Sequence, residues 1–141
     1  MTTTTKRPRI LLVDDDRSFA KIIANQAHTM SIDLEFASSV SNARSINSLT
    51  GVDLLLIDYD LDDGTGFEAA EHFMQKAKDM PVVMISSTNR PQQDRLGALP
   101  NIVGFVSKWA RPHEFLSHVI TVARTRPRIS PIAISAPSPI T

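Results

Sequence analysis

At 141 residues with 42% apolar side chains, the chain has the size and hydrophobic content of one ordinary domain, and a second folded domain has no room. Its 15 basic and 15 acidic residues cancel to zero formal charge, which is not the footprint of a nucleic-acid binder, and the absence of cysteine excludes disulfide scaffolds and thiolate metal sites. No secretory apolar segment opens the chain and no stretch approaches the roughly 18 residues of a membrane span, so a cytoplasmic protein without membrane contact is expected.

Residues 1–9 read as an N-terminal extension that leads straight into an apolar strand, Ile10 to Val13, closed by Asp14, Asp15 and Asp16. Phe19, Ile22 and Ile23 then recur at helical spacing, a face that should pack on the sheet, and Leu34 to Ala37 forms the next strand. Ser38 to Ser48 carries Val40, Ala43, Ile46 and Asn47 in helical register. Val52 to Ile57 is a third strand, followed by the acidic, glycine-bearing loop Asp58 to Gly66 and a helix marked by Phe67, Ala70, Phe73 and Met74. Val82 to Ile85 ends at Ser86. After it, Asn89 to Leu96 reads as a short polar helix, with Pro91 in its first turn and Pro100 beyond its end. Ile102 to Val106 precedes Lys108, and Phe115, Val119 and Val122 mark the last helix. From Arg126 to Thr141 the chain is too proline-rich for helix or central strand, so an extended or disordered tail is expected after a domain of residues 10–125.

Strand and helix alternate five times, and the strands are apolar without interruption, which means burial on both faces. A doubly wound α/β domain with a five-stranded parallel sheet is the prediction. In such a sheet ligands bind outside the carboxyl ends of the strands. Asp14 and Asp15 after the first strand and Asp58 after the third would converge there, with Ser86 and Lys108 from the fourth and fifth. Two like charges about 4 Å apart cost roughly 4 kcal/mol at an effective dielectric near 20, so three carboxylates require a metal or a proton. An all-oxygen ligand set favours Mg²⁺, Mn²⁺ or Ca²⁺, and a phosphate-bearing substrate favours Mg²⁺. Asp14 and Asp15 could hold the metal, Asp58 attack phosphorus, and Ser86 and Lys108 contact phosphoryl oxygens.

With Ile10 to Asp16, Leu55 to Asp58, Val82 to Ser87 and Gly104 to Lys108 occurring in this order, the chain resembles the receiver domain of bacterial two-component response regulators, of the chemotaxis-regulator type, from about Ile10 to Arg124. The resemblance implies a flavodoxin-like three-layer sandwich with strand order 2-1-3-4-5. It implies that Asp58 accepts phosphate from the phosphohistidine of a histidine kinase or phosphotransfer protein. Asp14, Asp15 and Asp58 would bind Mg²⁺ with the Asp60 backbone carbonyl, Ser86 and Lys108 would follow the phosphoryl group, and Phe105 would be the aromatic switch. Output would pass to a downstream protein target, a homodimer being left open, with no catalytic output domain and no direct nucleic-acid contact.

The chain departs from this family at three places. Trp109 follows the lysine where proline is usual, and a cis bond before a non-proline residue costs about 2.5–4 kcal/mol, so a trans bond is expected. Asp62 stands where proline is frequent, and Pro100 to Val103 replace the usual small residues before Gly104. A constant binding module of the same fold, not controlled by phosphorylation, is the alternative; an Asp-nucleophile phosphatase fits less well, because its loop would follow an early strand and place Thr at Asp62. Asp14 to Asp16 could also simply cap the following helix. The calcium-loop pattern at Asp58, Asp60 and Asp62 fails at Asp63 and Ala69, where Gly and Glu are required. His28, His72, His113 and His118 lack metal spacing, and Lys6, Arg7 and Arg9, like Arg124, Arg126 and Arg128, read as solvated charge.

Overall fold

Strand β1 (Arg9–Val13) pairs in parallel with β2 (Asp33–Ala37) on one side and with β3 (Leu54–Asp58) on the other. The sheet continues from β3 to β6 (Val82–Ser86) and ends at β7 (Ile102–Ser107), giving five strands in the order β2-β1-β3-β6-β7. Counted within the sheet this is 2-1-3-4-5, the flavodoxin-like order. The computed structural model describes residues 7–46, 49–61, 63–86, 99 and 101–125. The expected helix at Asn89–Leu96 with Pro91, the terminal Met1–Lys6 and the tail from Arg126 lie outside the described residues, as do Asn47, Ser48, Asp62, Ser87 and Pro100.

Side-chain alternation along the central strands divides the core into two layers, as strand geometry requires. Leu11, Val13, Leu55, Ile57, Val82 and Met84 face the layer of α2 (Val40–Arg44) and α3 (Gly66–Lys76), where Ala43, Ala70 and Phe73 are buried. Ile10, Leu12, Leu54, Leu56, Val83 and Ile85 face α1 (Arg17–Thr29) and α4 (Pro112–Thr125), meeting Ala20, Ile23, Ala27, Phe115 and Val119. Each fully buried Leu, Ile or Phe contributes about 1.5–3 kcal/mol, so these layers supply the main driving force for the fold. No helix among the described residues is long and apolar enough to cross a membrane.

Local chemistry sets the helix ends. Asp16 caps α1 by accepting the Phe19 N–H at 3.0 Å. At its other end Ser31 adopts a positive φ of 59°, and the Ile32 N–H returns to the Ala27 carbonyl at 2.9 Å. That is the Schellman closure, with Ser where glycine is usual. Thr65 and Glu68 form a reciprocal capping box at the start of α3.

Four expectations change. Ile22 is 52% exposed, because the buried stripe of α1 is Ala20, Ile23 and Ala27. β2 is an edge strand with Glu35 and Phe36 exposed, so burial on both faces holds for the central strands and not for it. α2 ends at Arg44: Ser45 caps it, and Ile46 packs on the core from outside the helix. The third strand starts at Leu54; Asp53 lies just before it and exchanges hydrogen bonds with the Arg9 backbone, its side chain accepting the Arg9 N–H and its own N–H donating to the Arg9 carbonyl. A two-stranded hairpin, β4 (Asp60–Leu61) with β5 (Gly64–Thr65), lies between β3 and α3 and was not foreseen.

Candidate functional site

The parallel ladders run past the strand ends and hold the acids and the lysine at one edge of the sheet. Asp14 N–H donates to the Ala37 carbonyl at 3.1 Å, Tyr59 N–H to Ile85 at 3.0 Å, and Lys108 N–H to Ser86 at 2.8 Å. Asp14 and Asp58 are buried and Asp15 is half-buried, and one carboxylate oxygen from each falls within 4.8 Å of the other two. Behind Asp58, Gly66 is a close-approach glycine: a Cβ there would stand 2.0 Å from the Asp58 carbonyl oxygen.

Lys108 reaches this cluster from the last loop of the sheet. Its Nζ lies 3.3 Å from Asp58 Oδ2, 3.4 Å from both oxygens of Asp14 and 3.6 Å from Asp16 Oδ2. The Phe19 ring forms a further wall, its centroid 4.8 Å from Nζ. The Lys108–Trp109 peptide is trans, as expected, and the lysine still spans the distance. Trp109 itself is 71% exposed, its N–H donating to Ser107 Oγ at 3.1 Å.

Burial dominates the electrostatics. It pushes the Asp14 carboxyl up to about 7, with the Asp16 N–H opposing and the neighbouring Asp58 charge assisting. Burial also raises Asp58, against the pull of Lys108. Burial acts to lower Lys108, but Asp58 and Asp14 together outweigh it and hold the ammonium above its ordinary range. With two buried carboxylates facing one ammonium, burial favours the protonated form of both acids in the absence of another cation.

A divalent cation fits this donor set. Asp14 Oδ2 is buried and accepts no hydrogen bond, although the ammonium stands nearby, and such an orphaned buried oxygen is costly unless a cation satisfies it. All the candidate ligands are hard oxygens, as Mg²⁺ prefers.

Of the other expected residues, Ser86 is buried at the end of β6, one position beyond the partner of Asp58, and faces Ser107 across the ladder. Asp60 has an exposed side chain, and its N–H donates to Asp58 Oδ1 at 3.1 Å. Phe105 pairs with Met84 on β7, is half-buried, and packs against the α2–α3 layer. The register shifts between Val82 and Val83, so Val83 pairs with Gly104 and Val103 is passed over, where the sequence departs from the receiver pattern. His28, His113 and His118 are exposed and His72 is half-buried, all outside the acidic cluster. Arg7 and Arg9 are ion-paired with Asp33 and Glu35, so they are not merely solvated charge.

Three contributors were missed. Asp16 caps α1, as the sequence allowed, but also faces Lys108, which it did not suggest; Phe19 is a wall of the site as well as a packing residue; and Asp63 ties the loop after Asp58 to α2. The apolar spacing of Phe19 marked only its helix face; nothing local to it points to a lysine so far along the chain.

The family described as response regulator receiver domain matches residues 10–120. Photosynthetic apparatus regulatory protein RegA of Rhodovulum sulfidophilum is 29% identical over 79 residues, covering 56% of this chain and 43% of that protein. Phosphate regulon transcriptional regulatory protein PhoB of Escherichia coli is 27% identical over 131 residues, covering 89% of this chain and 55% of that protein. The chain thus spans about half the length of these relatives. Among solved structures, the non-phosphorylated HemR receiver domain from Leptospira biflexa superposes with a TM-score of 0.75 at 30% identity, covering 86% of this chain and 98% of that one.

Proposed function

The chain belongs to the response regulator receiver domain family, and from that premise we propose that it takes a phosphoryl group onto Asp58 and signals by protein contact. The donor is the phosphohistidine of a histidine kinase or phosphotransfer protein. An Asp58 carboxylate oxygen forms the new P–O bond as the P–N bond to the donor ring breaks, and the ring nitrogen keeps the electron pair. Asp14, Asp15 and Asp58, with the Asp60 backbone carbonyl, would hold Mg²⁺, which when bound neutralises charge on the transferring oxygens.

Lys108 brings a fixed positive charge to the same oxygens, and the Ser86 hydroxyl supplies a hydrogen bond to one of them. Phosphorylation adds roughly 1.5–2 negative charges and new acceptor oxygens. Ser86 and Lys108 are drawn toward them, and Phe105 turns into the space this opens on its side of β7. The downstream partner is a protein that reads this altered face, a second copy of the chain included. The receiver domain spans residues 10–125, with 1–9 as an extension and 126–141 as a tail, and it works in the cytoplasm as a signalling domain rather than an enzyme with turnover.

The observation that carries this reading is the gathering of three carboxylates within 4.8 Å at the carboxyl edge, with Lys108 Nζ 3.3 Å from Asp58. Intact mass after incubation with acetyl phosphate or phosphoramidate, with and without Mg²⁺, tests it. The expected result is a Mg²⁺-dependent gain of one phosphate by wild type and none by Asp58→Ala. No gain by wild type under any condition would replace it with a constant binding module of the same fold.

A further inference from the structure

We propose that Phe19 is a positioning residue for Lys108: its ring face draws the ammonium aside, so that the lysine serves the Asp58 side of the site without closing over the carboxylates that a cation must reach. The inference rests on the role assigned to Lys108 above.

The lysine's contacts are the first support. They measure 3.3 Å to Asp58, 3.4 Å to Asp14 and 3.6 Å to Asp16. A tight N⁺–H···O⁻ bond is about 2.7–2.9 Å. An ammonium seated on one carboxylate would be closer to it, so this one is shared among several attractors, and the Phe19 ring, 4.8 Å from Nζ, is one of them. A ring face attracts a cation through its quadrupole and brings neither a charge nor a ligand oxygen. Unlike another carboxylate, it can hold Lys108 without competing for a metal.

The ring is also fixed in place. Phe115, fully buried on α4, meets it edge-on at 5.5 Å between centroids with an interplanar angle of 76°. The Phe19 N–H donates to Asp16 Oδ1 at 3.0 Å, while Asp16 Oδ2 is the carboxylate oxygen that faces Nζ. The first turn of α1 thus presents Lys108 with a capping carboxylate and a ring as one unit.

The test is a double-mutant cycle. Mg²⁺ affinity is measured by isothermal titration calorimetry, and phosphate gain from acetyl phosphate by intact mass, for wild type, Phe19→Leu, Phe19→Met and Phe19→Tyr, each with Lys108 or with Lys108→Met. With Lys108 present, Phe19→Leu and Phe19→Met are expected to weaken Mg²⁺ binding and slow phosphorylation by about three- to tenfold, whereas Phe19→Tyr stays within about twofold of wild type. Combined with Lys108→Met, the Phe19 changes should have no further effect. Wild-type Mg²⁺ affinity in both non-aromatic variants, or an equal loss with and without the lysine, would overturn the inference. If no chain takes phosphate yet Mg²⁺ affinity shows the coupling, the Asp58 reading falls and the Phe19 inference stands; if wild type binds no Mg²⁺, both fall. Two non-aromatic variants are used so that a folding defect in one does not decide the outcome.

Discussion

The Asp63 carboxylate holds Ser41 by both its backbone N–H, at 3.0 Å, and its hydroxyl, at 3.1 Å. Its other oxygen takes the Val40 N–H at 2.9 Å. One side chain from the loop after Asp58 therefore satisfies the first turn of α2, beside the cap that Ser39 gives through the Asn42 N–H. The loop and the helix are joined at this point.

Asp63→Ala should lower Tm by a few degrees, and Asp63→Asn, which keeps one acceptor oxygen, by less. These hydrogen bonds, the Val40 N–H foremost, hold the Asp63 carboxyl below its usual value of 3.8. The folded state thus binds this proton less readily than the unfolded chain. The stabilisation is present above the ordinary carboxylate range and is lost as pH falls through the lower folded value. Thermal melts of wild type and Asp63→Ala should accordingly differ at pH 6 and converge in strong acid; a constant difference would show that the carboxylate charge is irrelevant.

The Asp14 carboxyl carries the opposite sign. Burial raises it to about 7 from 3.8, so without metal the folded protein binds a proton that the unfolded chain releases, and stability declines as pH rises from about 4 through 7. Mg²⁺ must displace that proton. Calorimetric titrations at pH 6 and pH 8 should give tighter binding at pH 8, with proton release visible in buffers of different ionisation enthalpy at pH 6. Affinity that does not vary with pH would remove the proton from this site.

Lys108→Met leaves Asp14 and Asp58 buried beside each other without their cation. Breaking a buried pair in this way costs up to about 3–5 kcal/mol, and protonation of the acids limits the loss at low pH. The variant should be less stable at pH 8 than at pH 5 relative to wild type, and Mg²⁺ at pH 8 should recover most of the difference. Urea unfolding at the two pH values, with and without the metal, measures this directly.

Gly66→Ala forces a Cβ toward the Asp58 carbonyl oxygen, 2.0 Å away, and toward Ile57 Cγ2 at 3.0 Å. Backbone on one side and core on the other leave little room to yield, so a loss of about 1–3 kcal/mol and slower phosphate uptake are expected. Among the described residues, the Cβ added at Gly104 would meet Val122 Cγ2 at 3.9 Å, an ordinary contact. Gly104→Ala should be nearly neutral in the same unfolding assay, which makes it the matched control.

The three central strands were legible because parallel strands buried on both faces must be written as unbroken apolar runs, and the partly exposed edge strands β2 and β7 from their apolar runs within the strand–helix alternation. Placing acids and a lysine at the strand ends then followed from topology, and the structure brings Asp14, Asp15, Asp58 and Lys108 together at one edge. What stayed hidden depends on partners far along the chain or on exact register. Asp63 reaches back 23 positions to Val40, and an acid in an acidic loop gives no local sign of it. Ile22 and Ile23 are equally apolar, and only the packing of α1 leaves the former 52% exposed and the latter buried. The short α2 shows the same limit, since Ile46 continues its apolar period from beyond its capped end.

Trp109 has an optical consequence. It is the sole tryptophan of the chain, mostly open to solvent, and joined by one peptide bond to the lysine that faces Asp58. Light absorbed at the red edge of the protein's spectrum is therefore taken up by a single indole next to the charged edge of the sheet. Its emission follows events at that edge without the averaging that several indoles would impose, so a stopped-flow trace on unlabelled protein carries a signal from the neighbourhood of Lys108.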